Sequence, residues 1–489
     1  MNSLDPALNQ APSNIRHIHI MGIGGTGMAA MAGMLKASGY QISGSDLTIY
    51  PPMSDFLSDQ GISVMNGYAT ANLTPPPDLV IVGNVIRQSN PEAQALAELG
   101  LPYLSMPQAL GHFFLSGRRS LVVAGTHGKT TTSSLLVSCL FRAERHPSCL
   151  IGGIVQEFKA NFHLGSGPDF VVEGDEYDTA FFDKGSKFLH YQPQVAIITS
   201  LEFDHADIFA DLEAIKESFR RFVALMPADG LIVAHLDDAN VAEVVSNAPC
   251  MVQGYGLGPD NHWRLSDLQV HEQHSRFSIH QQGGDQGLTA HEWDRIQVAL
   301  TGRHNSLNAL AVTAVLHHLG LSPAEIDRGL RTFTGVKRRQ EVRGKAAGVT
   351  VIDDFAHHPT AVRETLIALK AGYPGNRLVC IFEPRTNSSR RAIFQQDYVS
   401  AFDAADQVLI REPLPLENLL PEEQFSASQL ALALGERQID AGSFADTEAI
   451  LMELDHCLRP GDVAAIFSNG GFDNIHTRLL SQLQLREEP

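Results

Sequence analysis

Basic residues are scarce in this chain. Lys and Arg total 36 against 55 Asp and Glu in 489 residues, a formal net charge of −19. That balance argues against general binding to nucleic acid or to an anionic membrane surface, although one electropositive loop can still hold an anion. Cysteine is sparse too: five residues, at 139, 149, 250, 380 and 457, with no Cys-x-x-Cys pair. An odd, scattered set fits reduced thiols in a cytosolic protein better than a disulfide framework. No run of about 18 apolar residues occurs, so no transmembrane helix is expected. The first sixteen residues carry Asp5 and two prolines but no apolar stretch, so no signal peptide is expected. A repeat of solenoid period is also missing.

What is present is enough apolar material for a sizeable core, 44% of residues, with ordinary amounts of glycine (41) and proline (25). Domains of about 100–200 residues make three the first expectation. Ile15–Ile20, a glycine turn, a helical stretch from Met28 to Ser38 and Gln41–Gly44 read as strand, loop, helix, strand, with Leu79–Val82 a later strand. A second unit opens at Leu121 and includes Phe170–Val172, Val195–Thr199, Leu231–His235 and an amphipathic helix within Leu300–Leu319. A third follows Gly335, with strands at Val349–Ile352, Arg377–Phe382, Val408–Ile410 and Val463–Phe467. Short apolar strands alternating with helices give an α/β fold with parallel sheets. Residues 252–298 are more polar, with several His and Gln and a Gly283-Gly284 pair. They read as antiparallel strands or an excursion without a firm placement.

The strongest chemical signal is Gly125-Thr126-His127-Gly128-Lys129-Thr130-Thr131-Thr132, directly after the apolar Leu121–Ala124. Strand, glycine turn, Lys-Thr and helix make a phosphate-binding loop: backbone N–H groups at the helix start cradle phosphates, Lys129 brings charge and Thr130 offers a hydroxyl to Mg2+. The chain is thus expected to bind a nucleoside triphosphate. Gly22-Ile23-Gly24-Gly25-Thr26-Gly27, with Asp46 ending the next strand, matches a diphosphate-binding turn. That pattern leaves NAD and a nucleotide sugar both open.

Other polar groups fall where strands end, which is where ligands sit in open α/β sheets. Glu173, Asp175 and Glu176 follow Phe170–Val172, and Glu173 is placed to face a cation held by Thr130. Asp204-His205 follow another strand; they read either as metal or phosphate contacts or as a cap with a surface histidine. His304, Asn305 and Asn308 open a helix, where amides either read an adenine edge or cap the helix. Lys337-Arg338-Arg339 is a basic triplet. Asp353-Asp354 and His357-His358 follow one strand, and adjacent histidines diverge too far for a simple metal site. Arg385, Arg390 and Arg391 follow the next, suiting a carboxylate-rich ligand or plain surface charge.

Taken in order, Gly22–Met28, Gly125–Thr132, Glu173–Asp178, Asp204-His205, His304-Asn305, Gly335–Arg339 and Asp353–Pro359 resemble the motifs of the Mur ligases, the ATP-dependent amide-forming enzymes of bacterial cell-wall assembly. The resemblance spans nearly the whole chain. It implies an N-terminal Rossmann-like domain for a UDP-sugar (1–115), a central P-loop ATPase domain with a parallel sheet (116–334) and a C-terminal Rossmann-like domain for the incoming amine (335–489). Gly22–Met28 and Gly335–Arg339 resemble the branch whose acceptor is UDP-N-acetylmuramate. Glu173–Phe188 and Ser468–Gly471 look like the members that add the tripeptide L-alanyl-γ-D-glutamyl-meso-diaminopimelate in murein recycling; L-alanine is the alternative amine.

By the same resemblance, Gly22, Gly24, Gly25, Thr26, Gly27, Met28 and Asp46 bind the UDP-sugar. Gly125 to Thr131, His304, Asn305, Arg338 and Asp353 bind ATP. Lys129, Glu173 and His205 are catalytic, with Thr130, Glu173 and His205 holding two Mg2+. His357, His358 and Arg385 receive the amine. Many relatives carry a carbamylated lysine where this chain has Phe219, so no carbamate is expected here. A short peptide and a UDP-sugar are the expected partners, with no nucleic acid or membrane, in the cytoplasm; the oligomeric state is left open. Two readings compete: an NAD-dependent oxidoreductase built on Gly22–Gly27, which would need no ATP, and a non-catalytic nucleotide switch.

Overall fold

The computed structural model describes residues 3–51, 53–206, 208–282, 291–417 and 419–486. They divide into two compact units, Met1–Leu201 with Glu213–Gln253, and Glu202–Leu212 with Gly254–Pro489.

Two larger sheets position the first unit's sites, beside the short antiparallel pair Asp178–Ala180 and Asp183–Ser186. One has five parallel strands in the order Ser63–Asn66, Gln41–Asp46, His17–Met21, Leu79–Val82, Tyr103–Ser105. Its interior strand Leu79–Val82 is apolar on both faces, every residue being buried, as expected where both sides of a sheet are covered. The helix Thr26–Ala37 starts at the glycine turn and buries eight consecutive residues, Met28–Leu35. Asn90 caps the helix Pro91–Leu99 by accepting from the N–H groups of Glu92 and Ala93, with Pro91 at the first position and Gly100 left-handed at the end.

In the second sheet of this unit, Arg119–Ala124 lies between Val195–Ile198 and Asp169–Gly174, parallel to both. Leu231–His235 extends one side and Ser148–Val155 the other; Ala160–His163 closes that edge antiparallel. The central position of Arg119–Ala124 puts its carboxyl end, and the loop after it, between two neighbouring strand ends.

In the second unit, the polar stretch that the sequence reading left unplaced forms Trp263–Val270, Ser275–Gln281 and His291–Val298, which pair antiparallel. Residues 283–290, including Gly283-Gly284, lie outside the described residues. The helix Arg303–His318 follows, then Pro323–Arg331, opened by a Ser322/Glu325 capping box.

The other sheet of this unit runs Glu341–Ala346, Val349–Asp354, Val463–Phe467, Leu378–Phe382, Gln407–Arg411, Asp440–Phe444, parallel except for its first strand. Alternate residues of one strand feed two different cores. Leu378, Cys380 and Phe382 join one with Val362, Tyr398 and Leu430, while Val379 and Ile381 join another with Ile450, Leu454 and Leu479. This is the period-two geometry of a strand covered on both faces. No helix among the described residues is long and apolar enough to cross a membrane.

Candidate active site

All seven expected UDP-sugar residues, Gly22, Gly24, Gly25, Thr26, Gly27, Met28 and Asp46, line one cavity of about 380 Å³. Gly22 has φ +77°, in the left-handed region. The N–H of Gly24 donates to Asp46 Oδ2 at 2.8 Å, so Asp46 holds the turn as well as facing the cavity. Sequence reasoning missed Asn84, Thr179 and Lys187 on the same wall. Lys187 offers charge for an anionic ligand, and its ammonium donates to Asp175 Oδ2 at 2.6 Å. Burial opposes charge on Asp175, yet Lys187 and Lys129 hold its carboxyl below the usual range.

The second glycine loop is folded as its sequence requires. Gly125 has φ +131° and Gly128 φ +81°; a Cβ at Gly125 would run into Thr199 Oγ1. Thr126 N donates to Ser200 O at 2.9 Å and His127 N to Ser200 Oγ at 3.1 Å, which ties the loop to the next strand end. Gly128 caps the helix Lys129–Arg142, whose first residues are Lys129, Thr130 and Thr131. Its N-terminal N–H groups and dipole form an anion-binding end.

Two carboxylates from one strand end meet this helix start. Thr130 Oγ1 donates to Glu173 Oε1 at 2.9 Å, and Gly152 N donates to Glu173 Oε2 at 2.7 Å. Lys129 Nζ donates to Gly125 O at 2.6 Å and to Glu176 Oε2 and Oε1 at 2.8 and 3.0 Å. Burial disfavours the Lys129 ammonium, but Glu176, Asp175 and Glu173 outweigh it and its pKa lies above the ordinary lysine value. The Lys129–Glu176 pair was not foreseen, because an acidic loop three residues beyond Glu173 reads equally well as solvated charge.

The second unit carries the remaining expected residues. His205 sits at φ +57° after Asp204, a conformation that costs a non-glycine residue free energy. Burial opposes charge on Asp204, but His205, His358 and His357 hold it well below the usual carboxylate range. The adjacent histidines do diverge: His357 Nδ1 lies 3.1 Å from Phe355 O, and His358 Nε2 lies 3.2 Å from Phe203 O. At the helix start after Gly302, Asn305 donates to Thr301 O at 2.9 Å and accepts from Asn308 at 3.4 Å, while His304 approaches Gln340 at 3.4 Å.

Arg338 Nη2 donates to Ser468 O at 2.6 Å and Gly470 O at 2.7 Å, and its Nε faces Asp353 at 3.4 Å. Burial opposes charge on Asp353, but His476, Arg338 and Arg343 lower its pKa. Arg385 packs over Gly470. Near it, Glu383 accepts from Arg411 at 2.6 Å, and Arg411 also faces Asp473 at 3.1 Å. Glu383, Arg411 and Asp473 were missed; Glu383 and Arg411 could have been found by the strand-end rule that found Asp353.

Three consecutive segments match Mur ligase domains: the catalytic domain over residues 17–118, the middle domain over 123–316 and the glutamate ligase domain over 338–470. The chain is 39% identical over 96% of its length to the UDP-N-acetylmuramate–L-alanyl-γ-D-glutamyl-meso-2,6-diaminoheptandioate ligase of Escherichia coli K12, 99% of which is covered. This chain belongs to the Mur ligase family. It is therefore an ATP-dependent ligase that forms an amide bond. A UDP-N-acetylmuramate–L-alanine ligase of the same family, from Clostridium kluyveri, is 32% identical over 96% of this chain and 98% of its own. Among solved structures, a murein peptide ligase from Psychrobacter arcticus superposes with a TM-score of 0.70 at 32% identity, covering 96% of this chain and 99% of that one. The α/β architecture read from the sequence is thus the Mur ligase architecture, with parallel sheets.

Proposed function

We propose that this Mur ligase joins the tripeptide L-alanyl-γ-D-glutamyl-meso-diaminopimelate to UDP-N-acetylmuramate at the expense of ATP. One observation carries the choice of amine: near full-length identity is higher to the tripeptide-adding relative than to the alanine-adding one. The muramoyl carboxylate attacks the γ-phosphorus of ATP, forming an acyl phosphate and releasing ADP. The peptide α-amine then attacks the acyl carbon, loses a proton and expels phosphate, leaving an amide.

The three domains are taken as 1–115, 116–334 and 335–489, and the geometry above supports the site assignments that follow. The cavity at Gly22–Met28 and Asp46 takes the UDP-sugar, with Lys187 adding charge. Gly125–Thr131 cradle the triphosphate, and Lys129 offsets the charge that grows on the transferring group, where most phosphoryl-transfer catalysis lies. Thr130 and Glu173 present a hydroxyl and a carboxylate 2.9 Å apart, hard oxygen donors that suit Mg2+. When bound, Mg2+ supplies positive charge to the phosphate oxygens; His205 would serve a second ion. His304, Asn305, Asp353 and Arg338 are assigned to the nucleotide, and His357, His358 and Arg385 to the peptide. Use of ATP and a UDP-linked acceptor supports a cytoplasmic location for the reaction.

The test is ADP release with UDP-N-acetylmuramate and Mg2+, comparing the tripeptide with L-alanine. Fast turnover with the tripeptide and little with alanine is expected. Turnover with alanine alone overturns the amine assignment. Loss of all ATP consumption with either amine overturns the whole reading.

A further inference from the structure

We infer that Asp473 and Arg385 select the amine substrate by its far end: Asp473 receives the free ammonium of the diaminopimelate side chain, and Arg385 the carboxylate on the same carbon. The inference deepens the tripeptide reading of the function and rests on it. Two strand ends and the loop after Val463–Phe467 build the pair. Glu383 is buried just past the end of Leu378–Phe382, and it accepts from Arg411 at 2.6 Å and from Ser468 Oγ at 2.5 Å. Arg411, held in this way, faces Asp473 Oδ2 at 3.1 Å, and Thr447 donates to the same oxygen at 2.7 Å. The Asp473 side chain is nevertheless 54% exposed. Its backbone is committed to this placement: Phe472, Asp473 and Asn474 have φ of +43°, +48° and +56°, and Phe472 is fully buried. Left-handed backbone at three consecutive non-glycine residues costs free energy, and such strain clusters at ligand sites. An ion pair as open as Arg411 with Asp473 contributes little to the fold by itself.

Charge decides what fits. The hydrogen bond from Thr447, with Arg411, Arg385 and Arg478 nearby, outweighs burial and holds the Asp473 carboxyl below its ordinary range, so it is an anion at neutral pH. The charge around Arg390 is positive and less balanced. Arg390 donates to Leu414 O at 3.2 Å and to Asn387 Oδ1 at 3.3 Å, both neutral, and its Nε is buried with no hydrogen-bond partner among the described residues. Burial and the nearby Arg385 both disfavour its charge. Arg385 therefore has an anion, Asp473, and a second cation, Arg390, as neighbours. A ligand with ammonium and carboxylate on one carbon can satisfy both signs through charge-assisted hydrogen bonds. The tripeptide carries such a group at the end remote from its reacting α-amine. L-Alanine does not, because its single amino group is the one that attacks the acyl carbon.

The test is ADP release with UDP-N-acetylmuramate and Mg-ATP, using three tripeptides that differ in the third residue. One ends in meso-diaminopimelate. One ends in 2-aminopimelate, which lacks the distal ammonium. One ends in L-lysine, which keeps that ammonium and lacks its carboxylate. The wild type should prefer the first to each of the others by about tenfold in kcat/KM, the scale of one hydrogen bond between charged groups. Asp473→Asn should lose the preference over the 2-aminopimelate peptide and keep the preference over the lysine peptide. Arg385→Gln should do the reverse. Each ratio is taken within one variant, so a folding defect cancels, and the KM values for ATP and UDP-N-acetylmuramate should match the wild type. If either variant keeps the ratio it is expected to lose, or if the wild type does not distinguish the peptides, the inference is wrong while the tripeptide reading stands. If no tripeptide supports ADP release, the proposed function itself falls.

Discussion

The hydroxyl of Thr130, in the first turn of its helix, donates to Glu173 Oε1, at the end of a separate strand, across 2.9 Å. That contact joins the phosphate-binding loop to the acidic strand end. Glu173→Gln keeps the shape and removes the charge. Turnover is expected to fall by roughly a hundredfold or more, the scale of losing one preorganised charge contact to a reacting group. The measurement is ADP release across a Mg2+ titration. Undiminished turnover at every Mg2+ concentration removes Glu173 from the cation seat.

Lys129→Ala should abolish turnover and also lower stability, because it removes the buried ammonium that donates to both Glu176 carboxylate oxygens. Breaking a buried pair from one side costs about 3 kcal/mol. The double variant Lys129→Ala with Glu176→Gln should recover most of that stability while staying inactive. Urea unfolding midpoints read the difference. Equal stability of the single and double variants would show that the pair contributes nothing to the fold.

A second buried pair lies away from the loops. His19 Nε2 and Glu92 Oε1 are 2.6 Å apart and fully buried, and Glu92 also accepts from Ser45 at 2.7 Å and Asn72 at 2.9 Å. Glu92→Ala should cost about 3 kcal/mol by leaving those donors unmatched. Burial raises the Glu92 pKa, but His19, Asn72 and Ser45 outweigh it and the net shift is below the ordinary 4.5. A depressed folded-state pKa means stability that is present above pH 4.5 and is lost as the pH falls through the folded value. The gap between wild type and variant should therefore be full at pH 6 and shrink in acid below pH 4.5. A gap that widens in acid would contradict the assignment.

Gly470→Ala tests the peptide site without touching a charge. A Cβ there collides with the Arg385 side chain, which must move. The KM for the tripeptide should rise roughly tenfold, with the KM values for ATP and UDP-N-acetylmuramate little changed, the mark of lost binding in one subsite. A uniform fall in kcat with all three KM values unchanged would place Arg385 outside the peptide site.

Strand identities were legible wherever both faces of a strand are covered. Leu79–Val82, Leu231–His235 and Val463–Phe467 are short continuous apolar runs, and their limits coincide with the expected ones. Glycine turns were legible because Gly22, Gly125 and Gly128 need left-handed backbone. The stretch from 252 to 298 was not placed because its strands carry buried and half-exposed residues in broken alternation, as in Trp263–Val270, so no single period dominates. Long-range ion pairs were the other blind spot. Nothing local distinguishes Glu176, which meets Lys129 47 positions away, from an acidic loop in water. Asn305 shows the converse: its side chain donates to Thr301, just ahead of its own helix, and sequence alone left both cap and ligand contact open.

The sheet between Val349–Asp354 and Asp440–Phe444 is sealed by helices above and below. Among the described residues, the sheet's polar tips lie along its rim, in the short connections at 355–358, 383–391 and 468–474. If the proposed peptide site lies there, exchanging the amine becomes a matter of editing those tips while the interior stays as it is. Diversity of accepted peptides and constancy of fold would then be two outcomes of one layered design.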